Sequence, residues 1–274
     1  MIRAVVAGAF DDLRSEHVRF LEEAARSGPV TVLLWSDLLT ERLTGTRPRF
    51  PEHEREYLLG AIRFVQRLHI VSETDDKDAL PTALGIIAGD QFVWVVPEHE
   101  GSPAKARFCK ANGIGYWVVA ETDLKILAFS HPPNSISTRK KVIVTGCYDW
   151  LHSGHVRFFE EVSAFGDLYV VVGHDANIRL LKGPGHPLLS QNERRYLVGS
   201  VKHVKAALVS TGNGWLDAEP EIALIKPDIY AVNEDGDKGS KRDFCQKHGI
   251  EYLVLKRRPA SGLPARTSTD LRGF

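Results

Sequence analysis

The chain has 274 residues, 43% of them hydrophobic, which is enough for one large domain or two of ordinary size. Lys+Arg and Asp+Glu both number 35, so the formal charge is zero and a general affinity for nucleic acid or anionic membrane is excluded; any anion site must be local. Three cysteines (Cys109, Cys147, Cys245) form neither a disulfide framework nor a metal-ligand spacing, no apolar run approaches the roughly 20 residues that span a bilayer, and the first residues enter a strand pattern at once, which together predict a soluble cytoplasmic protein.

Taken in order, the chain writes one unit twice. AVVAGAFDDLRSEHVRFLEEAARSG, from Ala4 to Gly28, lies over IVTGCYDWLHSGHVRFFEEVSAFG, from Ile143 to Gly166, with His17 on His155. The stretch from Pro51 to Ser72 lies over Ser190 to Thr211 with Arg55 on Arg194, and Cys109 later falls on Cys245. Three matched blocks in the same order predict a tandem duplication, with domains over 1–130 and 140–274. Each copy alternates strand and helix patterns, the signature of a parallel sheet covered by helices on both faces. The linker is expected from Ser130 to Arg139, where a Pro pair sits among small polar residues.

In the second copy the patterns predict strands near Val142–Thr145, Leu168–Gly173, Val204–Val209, Ile229–Val232 and Tyr252–Leu255. Helices are expected from about His155, Ser190, Glu219, Lys238 and Ser268. The Ser190-x-x-Glu193 capping box marks one start, and Gly166 reads as the C′ stop of the helix that carries Phe158, Phe159, Val162 and Phe165.

Chemistry concentrates in the second copy. A buried β-branched run leads into Gly146-Cys147-Tyr148-Asp149 and then His152-Ser153-Gly154-His155 at a helix start. Free N–H groups and the helix dipole hold phosphates at such a turn, and a glycine lets the backbone come close. Lys182 precedes a Gly/Pro-rich segment at 183–187, read as an ordered loop or closing lid from which the lysine reaches a phosphate. Arg194, kept in both copies, suits either a structural ion pair or a ligand role. Near the C-terminus, Arg266-Thr267-Ser268-Thr269 before Asp270-Leu271 reads as a hydroxyl-rich helix cap, with basic residues 256–258 just upstream.

From about Lys140 onward the chain resembles the cytidylyltransferase family, small α/β nucleotidyltransferases that join CTP to a phosphorylated alcohol. The residues that match are GCYDWLHSGH, Lys182, NERR at 192–195, Trp215 and RTSTDL at 266–271. The resemblance implies two tandem Rossmann-like nucleotidyltransferase domains. It also implies that His152 and His155 bind and stabilise the triphosphate and that Lys182 acts with them. Nucleotide contacts are implied for Gly146, Cys147, Tyr148, Asp149, Gly154, Arg194, Arg266, Thr267, Ser268 and Thr269. Where many members carry a GDD-like segment, this chain has Asn233-Glu234-Asp235-Gly236-Asp237, and Asn233 is expected near the base or acceptor at a strand's carboxyl end.

The expected reaction joins CTP to a phospho-alcohol, giving a CDP-alcohol and pyrophosphate. An adenylyltransferase, a nucleotide-binding regulatory protein without turnover and, more remotely, a tRNA synthetase are the competing readings. A phosphomonoester is mostly a dianion at neutral pH and needs no general base. No acidic cluster looks like a metal cage, so Mg²⁺ is expected to arrive on the triphosphate. The first copy is expected to be catalytically silent and to pack as a pseudo-dimer partner, with homo-oligomers also open. Arg14 stands where His152 does, Glu16 where Gly154 does, and Thr44 in place of Lys182.

Overall fold

Alternating strands and helices close into two parallel five-stranded sheets in the computed structural model, which describes residues 2–74, 76–81, 91–127, 137–268 and 271. The first compact unit, Met1–Leu127, holds β1 (Arg3–Gly8), α1 (Ser15–Ala24), β2 (Val30–Trp35), α2 (Asp37–Thr44), α3 (Glu52–Gly60), β3 (Val65–Val71), β4 (Phe92–Pro97), α4 (Pro103–Ala111), β5 (Gly115–Val119) and α5 (Glu121–Leu124). The second, Ala128–Phe274, holds β6 (Lys141–Gly146), α6 (Ser153–Ser163), β7 (Asp167–Val172), α7 (Asp175–Lys182), α8 (Gln191–Gly199), β8 (Val204–Val209), α9 (Glu219–Ile225), β9 (Ile229–Asn233), α10 (Gly239–His248) and β10 (Glu251–Leu255).

The two sheets have the same topology. The first is ordered β3-β2-β1-β4-β5 and the second, in the same sense, β8-β7-β6-β9-β10, with every pairing parallel. Even a register irregularity repeats, between Val30 and Thr31 in one unit and Leu168 and Tyr169 in the other. The apolar runs are fully buried at their centres, as strands covered on both faces require: Val142, Ile143, Val144, Val170 and Val172 all have no exposed surface. In each unit the strand order reverses beside the first strand. The crevice where ligands of open α/β sheets bind therefore falls at the carboxyl ends of β1 and β6.

All five strands expected in the second unit form, each within one residue of its expected ends. Ser190 caps α8 through the predicted box, accepting a hydrogen bond from Glu193 N while the Glu193 carboxylate takes the Ser190 N–H. Two details differ. Helix α7 was not expected, because it buries only Asn177 and Ile178 and leaves Leu180 exposed, so its apolar stripe is too thin to read. Helix α6 ends at Ser163, leaving Phe165 exposed, and Gly166 lies beyond its end. Of the expected linker, residues 130–136 lie outside the described residues.

Gly166 is needed for close approach. A Cβ there would sit 2.1 Å from the carbonyl oxygen of Lys140, the same distance that separates a Cβ at Gly28 from Ile2 O. Both glycines let the chain leave the first helix flush against the start of the first strand. Gly166→Ala must therefore push backbone against backbone, and we expect it to cost about 3 kcal/mol of stability, on the scale of an overpacked core. Urea unfolding measures this directly; a loss within about 0.5 kcal/mol, the range of a neutral surface change, would show that the turn relaxes freely.

Candidate active site

The site begins where β6 ends. Gly146 has no side chain, and a Cβ there would lie 2.8 Å from the Tyr148 ring, so the glycine lets that ring fold back over the strand end. Tyr148 adopts φ 53°, a left-handed conformation that is uncommon for a large residue. Its ring then meets His155 edge-on at 5.2 Å and packs at 5.3 Å from Phe159. Phe10 repeats this in the first unit, with φ 46° and an edge contact to His17 at 6.3 Å.

Two histidines open α6. His152 is fully buried at the N-cap, and its Nδ1 accepts a hydrogen bond from Gly154 N at 3.1 Å. The His155 ring stacks on it, with centroids 3.8 Å apart and planes 24° from parallel. Burial holds the His155 imidazole well below its ordinary pKa, and the nearby His152, Arg257 and Lys182 push the same way; the Trp150 backbone only partly opposes them. Both stacked rings cannot carry charge together without an anion beside them.

These residues face a cavity of about 190 Å³ at the carboxyl ends of β6 and β9. Gly146, Cys147, Tyr148, Gly154, His155, Lys182, Asn233 and Ser268, all singled out in the sequence, line it together. Lys182 reaches it from the last turn of α7, which corrects its placement on a loop. His152 sits one layer behind His155. Burial pushes the Cys147 thiol up, so it is no ready nucleophile.

Two residues expected at the nucleotide stand behind the cavity instead. The Asp149 carboxylate, 3% exposed, accepts hydrogen bonds from Leu188 N at 2.6 Å and Leu189 N at 3.1 Å, anchoring the segment before α8. Arg194 has no exposed surface; its Nη1 donates to Cys147 O at 2.7 Å, its Nε to Leu189 O at 3.0 Å and its Nη2 to Asp175 at 2.6 Å. It is a brace, and a helical arginine this busy has little left for a ligand. Arg55 makes the matching set with Ala9 O, Phe50 O and Asp37. Thr269 lies outside the described residues, whereas Arg266 and Thr267 precede the turn in which Leu271 N donates to Thr267 O.

Two further cations reach the cavity: Arg257, read in the sequence only as one of the basic residues upstream of the C-terminal cap, and Lys241, which the sequence reading did not place. Arg257 lines the cavity, binds Asp235 at 2.5 Å and donates to Arg266 O at 2.8 Å, tying the segment at 233–237 to the C-terminal one. Lys241, also in the lining, holds its ammonium 5.7 Å from the Tyr230 ring, and burial lowers its pKa. A signal for Lys241 existed in the repeat. Lys105 lies four residues before Cys109 as Lys241 lies four before Cys245, and its ammonium rests 5.6 Å from the Trp94 ring. Among the described residues no group of three or more His, Cys, Asp or Glu side chains is arranged to hold a metal.

The cytidylyltransferase-like family model matches residues 143–273, which contain every one of these groups in the second unit. A FAD synthase of Ferroglobus placidus is 35% identical over 120 residues, 43% of this chain and 75% of that protein. The chain belongs to the cytidylyltransferase-like family. It is a nucleotidyltransferase, with the family's stretch confined to its second unit. The bifunctional protein HldE of Helicobacter pylori is 30% identical over 122 residues, 43% of this chain but only 25% of that longer protein. A lipopolysaccharide core biosynthesis protein from Thermoplasma volcanium, known in crystal form, shares 26% identity over 44% of this chain and 98% of its own, with a TM-score of 0.38. No helix among the described residues is long and apolar enough to cross a membrane.

Two outcomes test this geometry. Arg194→Lys leaves the Cys147 carbonyl and Asp175 poorly matched, and should cost about 3 kcal/mol in urea unfolding, the scale of breaking a buried pair; a loss under about 1 kcal/mol would show that the brace is dispensable. Second, folding keeps His155 neutral, so between its depressed pKa and the unfolded value near 6.5 the unfolded chain binds more protons. Stability should be steady above about pH 6.5 and fall as the pH drops below it. His17 and His203 are lowered by burial too, so His155→Gln should flatten the fall only in part. An unchanged acid limb in that variant would refute the buried, neutral His155.

Proposed function

We propose that the second unit transfers a cytidylyl group from CTP to a phosphorylated alcohol, releasing pyrophosphate. The observation that carries this reading is the convergence of His155, Lys182, Lys241 and Arg257 on one small cavity at the start of α6. A nucleoside triphosphate brings several negative charges, and this is a place built to receive them.

The acceptor's phosphate oxygen forms a new bond to the α-phosphorus while the bond from that phosphorus to the bridging oxygen breaks. The electron pair of the broken bond leaves on pyrophosphate. The attacking oxygen is already ionised at neutral pH, so no base is required. Alignment and charge stabilisation remain, and both fall to fixed donors. His155 takes a proton as the triphosphate approaches, because the anion reverses the unfavourable field around it. Lys182 and the residues at 266–269 contact phosphates, Arg257 holds the C-terminal segment in place, and Mg²⁺ travels with the nucleotide. Asn233 and its neighbours lie on the side where base or acceptor is read.

A second reading is favoured by one relative. A FAD synthase builds an adenine dinucleotide, so ATP is the competing donor. Incubation with CTP or ATP and a panel of phosphorylated alcohols, following pyrophosphate, separates the two: release with ATP alone would replace the cytidylyl assignment.

The first unit is silent in this proposal. Its cavity carries Glu16 where Gly154 opens the other, and Thr44 where Lys182 stands. A carboxylate beside an incoming phosphate repels it. His155→Ala should lower the rate at least about a hundredfold, the scale of removing a transition-state donor, whereas His17→Ala should stay within a few-fold of the parent. Comparable losses would make both units catalytic.

A further inference from the structure

The first unit's cavity has been kept open, and its charge is the reverse of the second's. It measures about 430 Å³, within the range of small-molecule pockets, and sits at the carboxyl ends of β1 and β4. A cavity abandoned after loss of function fills or collapses, since empty apolar space costs stability. This one is walled by Phe10, Trp35 and Phe20.

Sheet register fixes which positions correspond. β1 pairs Val5 with Trp94, and β6 pairs Ile143 with Tyr230, so Pro97 answers to Asn233, His99 to Asp235 and Glu100 to Gly236. The outer pairings, Pro97 with Val119 and Asn233 with Leu255, then place Glu121 where Arg257 lies. An ion pair stands at that place in both units with its partners exchanged. Arg257 bonds Asp235 at 2.5 Å in the second, and Glu121 bonds His99 at 2.5 Å in the first. At the five positions that differ, Lys182 and Arg257 against Asp235 leave one net positive charge in the second unit. Glu16, Glu100 and Glu121 bring three carboxylates to the first, against the single imidazole of His99, and Thr44 brings no charge. Lysine and arginine are absent from the described lining of this cavity.

Random loss of a phosphate site removes cations; it does not install three carboxylates around an aromatic wall. Carboxylates with aromatic faces are the groups that hold an organic cation, through charge and through the ring quadrupole. We propose that the first unit binds a small organic cation, an amine or quaternary ammonium on a compact apolar body, in this cavity. The site is independent of the nucleotide site and of the base used there. Glu100 and Glu121 supply the opposing charge, Trp35 and Phe10 the faces, and the cation displaces His99 from its carboxylate.

Calorimetric titration of the full chain with choline, beside choline's neutral carbon isostere, tests this. Choline should bind saturably and the isostere at least about tenfold more weakly, since only the charge differs. Glu100→Gln combined with Glu121→Gln should weaken choline at least about tenfold, and saturating CTP should leave it in place. Should the double variant fail to fold, Thr44→Lys decides: Thr44 is exposed at the end of α2, so the fold should tolerate the change, while the added ammonium in the lining should abolish choline binding. Equal binding of choline and its isostere, no saturable binding, displacement by CTP, or full binding in Thr44→Lys would each overturn the proposal, as would uptake of cytidine at this cavity in choline's stead.

Discussion

Everything at the active site hangs on a buried guanidinium. Arg194 ties three pieces of chain together: the turn after β6 at Cys147, the segment before α8 at Leu189, and the first turn of α7 at Asp175. A buried cation is costly unless each donor finds a partner, so the arrangement is all or nothing. Two backbone carbonyls and one carboxylate meet that requirement with geometry that only a planar fork can match. The result is a rigid turn from which Tyr148 and the His152–His155 stack project at fixed angles. Asp149 completes the clamp from the other side by gripping Leu188 and Leu189. Positioning chemistry of this kind works only when the donors do not move, because a charge stabiliser that must first reorganise loses most of its effect.

Strands were legible in the sequence because they are buried on both faces, so they read as short β-branched runs bounded by glycine and polar residues. Helix α8 was legible through its capping box. Helix α7 was not, and the reason is physical: it is held by end contacts, with His174 capping Asn177 N and Asn177 bonded to Gly214, not by an apolar face. Lys182 therefore lines the cavity with the motif residues, but from the end of a helix and not from a loop. The site followed the same logic. His155, Gly154 and Lys182 were visible because they sit in a motif at a strand-to-helix turn. Arg194 was visible too, yet its role was not, since the same conserved position in both copies serves a brace as well as it would a ligand. Lys241 comes to the cavity from beyond β9, at a sequence distance that no local pattern spans, whereas Arg257 was legible as part of the basic run before the C-terminal cap.

Duplication separates what the fold needs from what the chemistry needs. The buried Arg–Asp brace, the left-handed aromatic, the glycine against the strand end and the lysine over an aromatic ring occur in both units. These are the conditions for building the turn and the cavity at all. The linings differ where Gly154, Lys182, Asp235, Gly236 and Arg257 stand against Glu16, Thr44, His99, Glu100 and Glu121, and behind the lining His152 stands against Arg14. Arg14 occupies the N-cap position of α1, where His17 accepts from the Arg14 N–H at 3.1 Å, so a different local bond closes the same helix start.

That division explains why an exchanged ion pair is possible. Asp235–Arg257 and His99–Glu121 bridge the same two chain segments, beside a second tie that both units share, from the Arg257 N–H to Glu234 and from the Glu121 N–H to Glu98. The ion pair's mechanical role is satisfied by either polarity, because an attraction has no preferred direction. The field it presents to the cavity is not indifferent, since reversing the pair moves a negative charge from the β9 side to the β10 side. An exchanged pair keeps the tie and reverses its polarity, so one fold can present either field to its cavity.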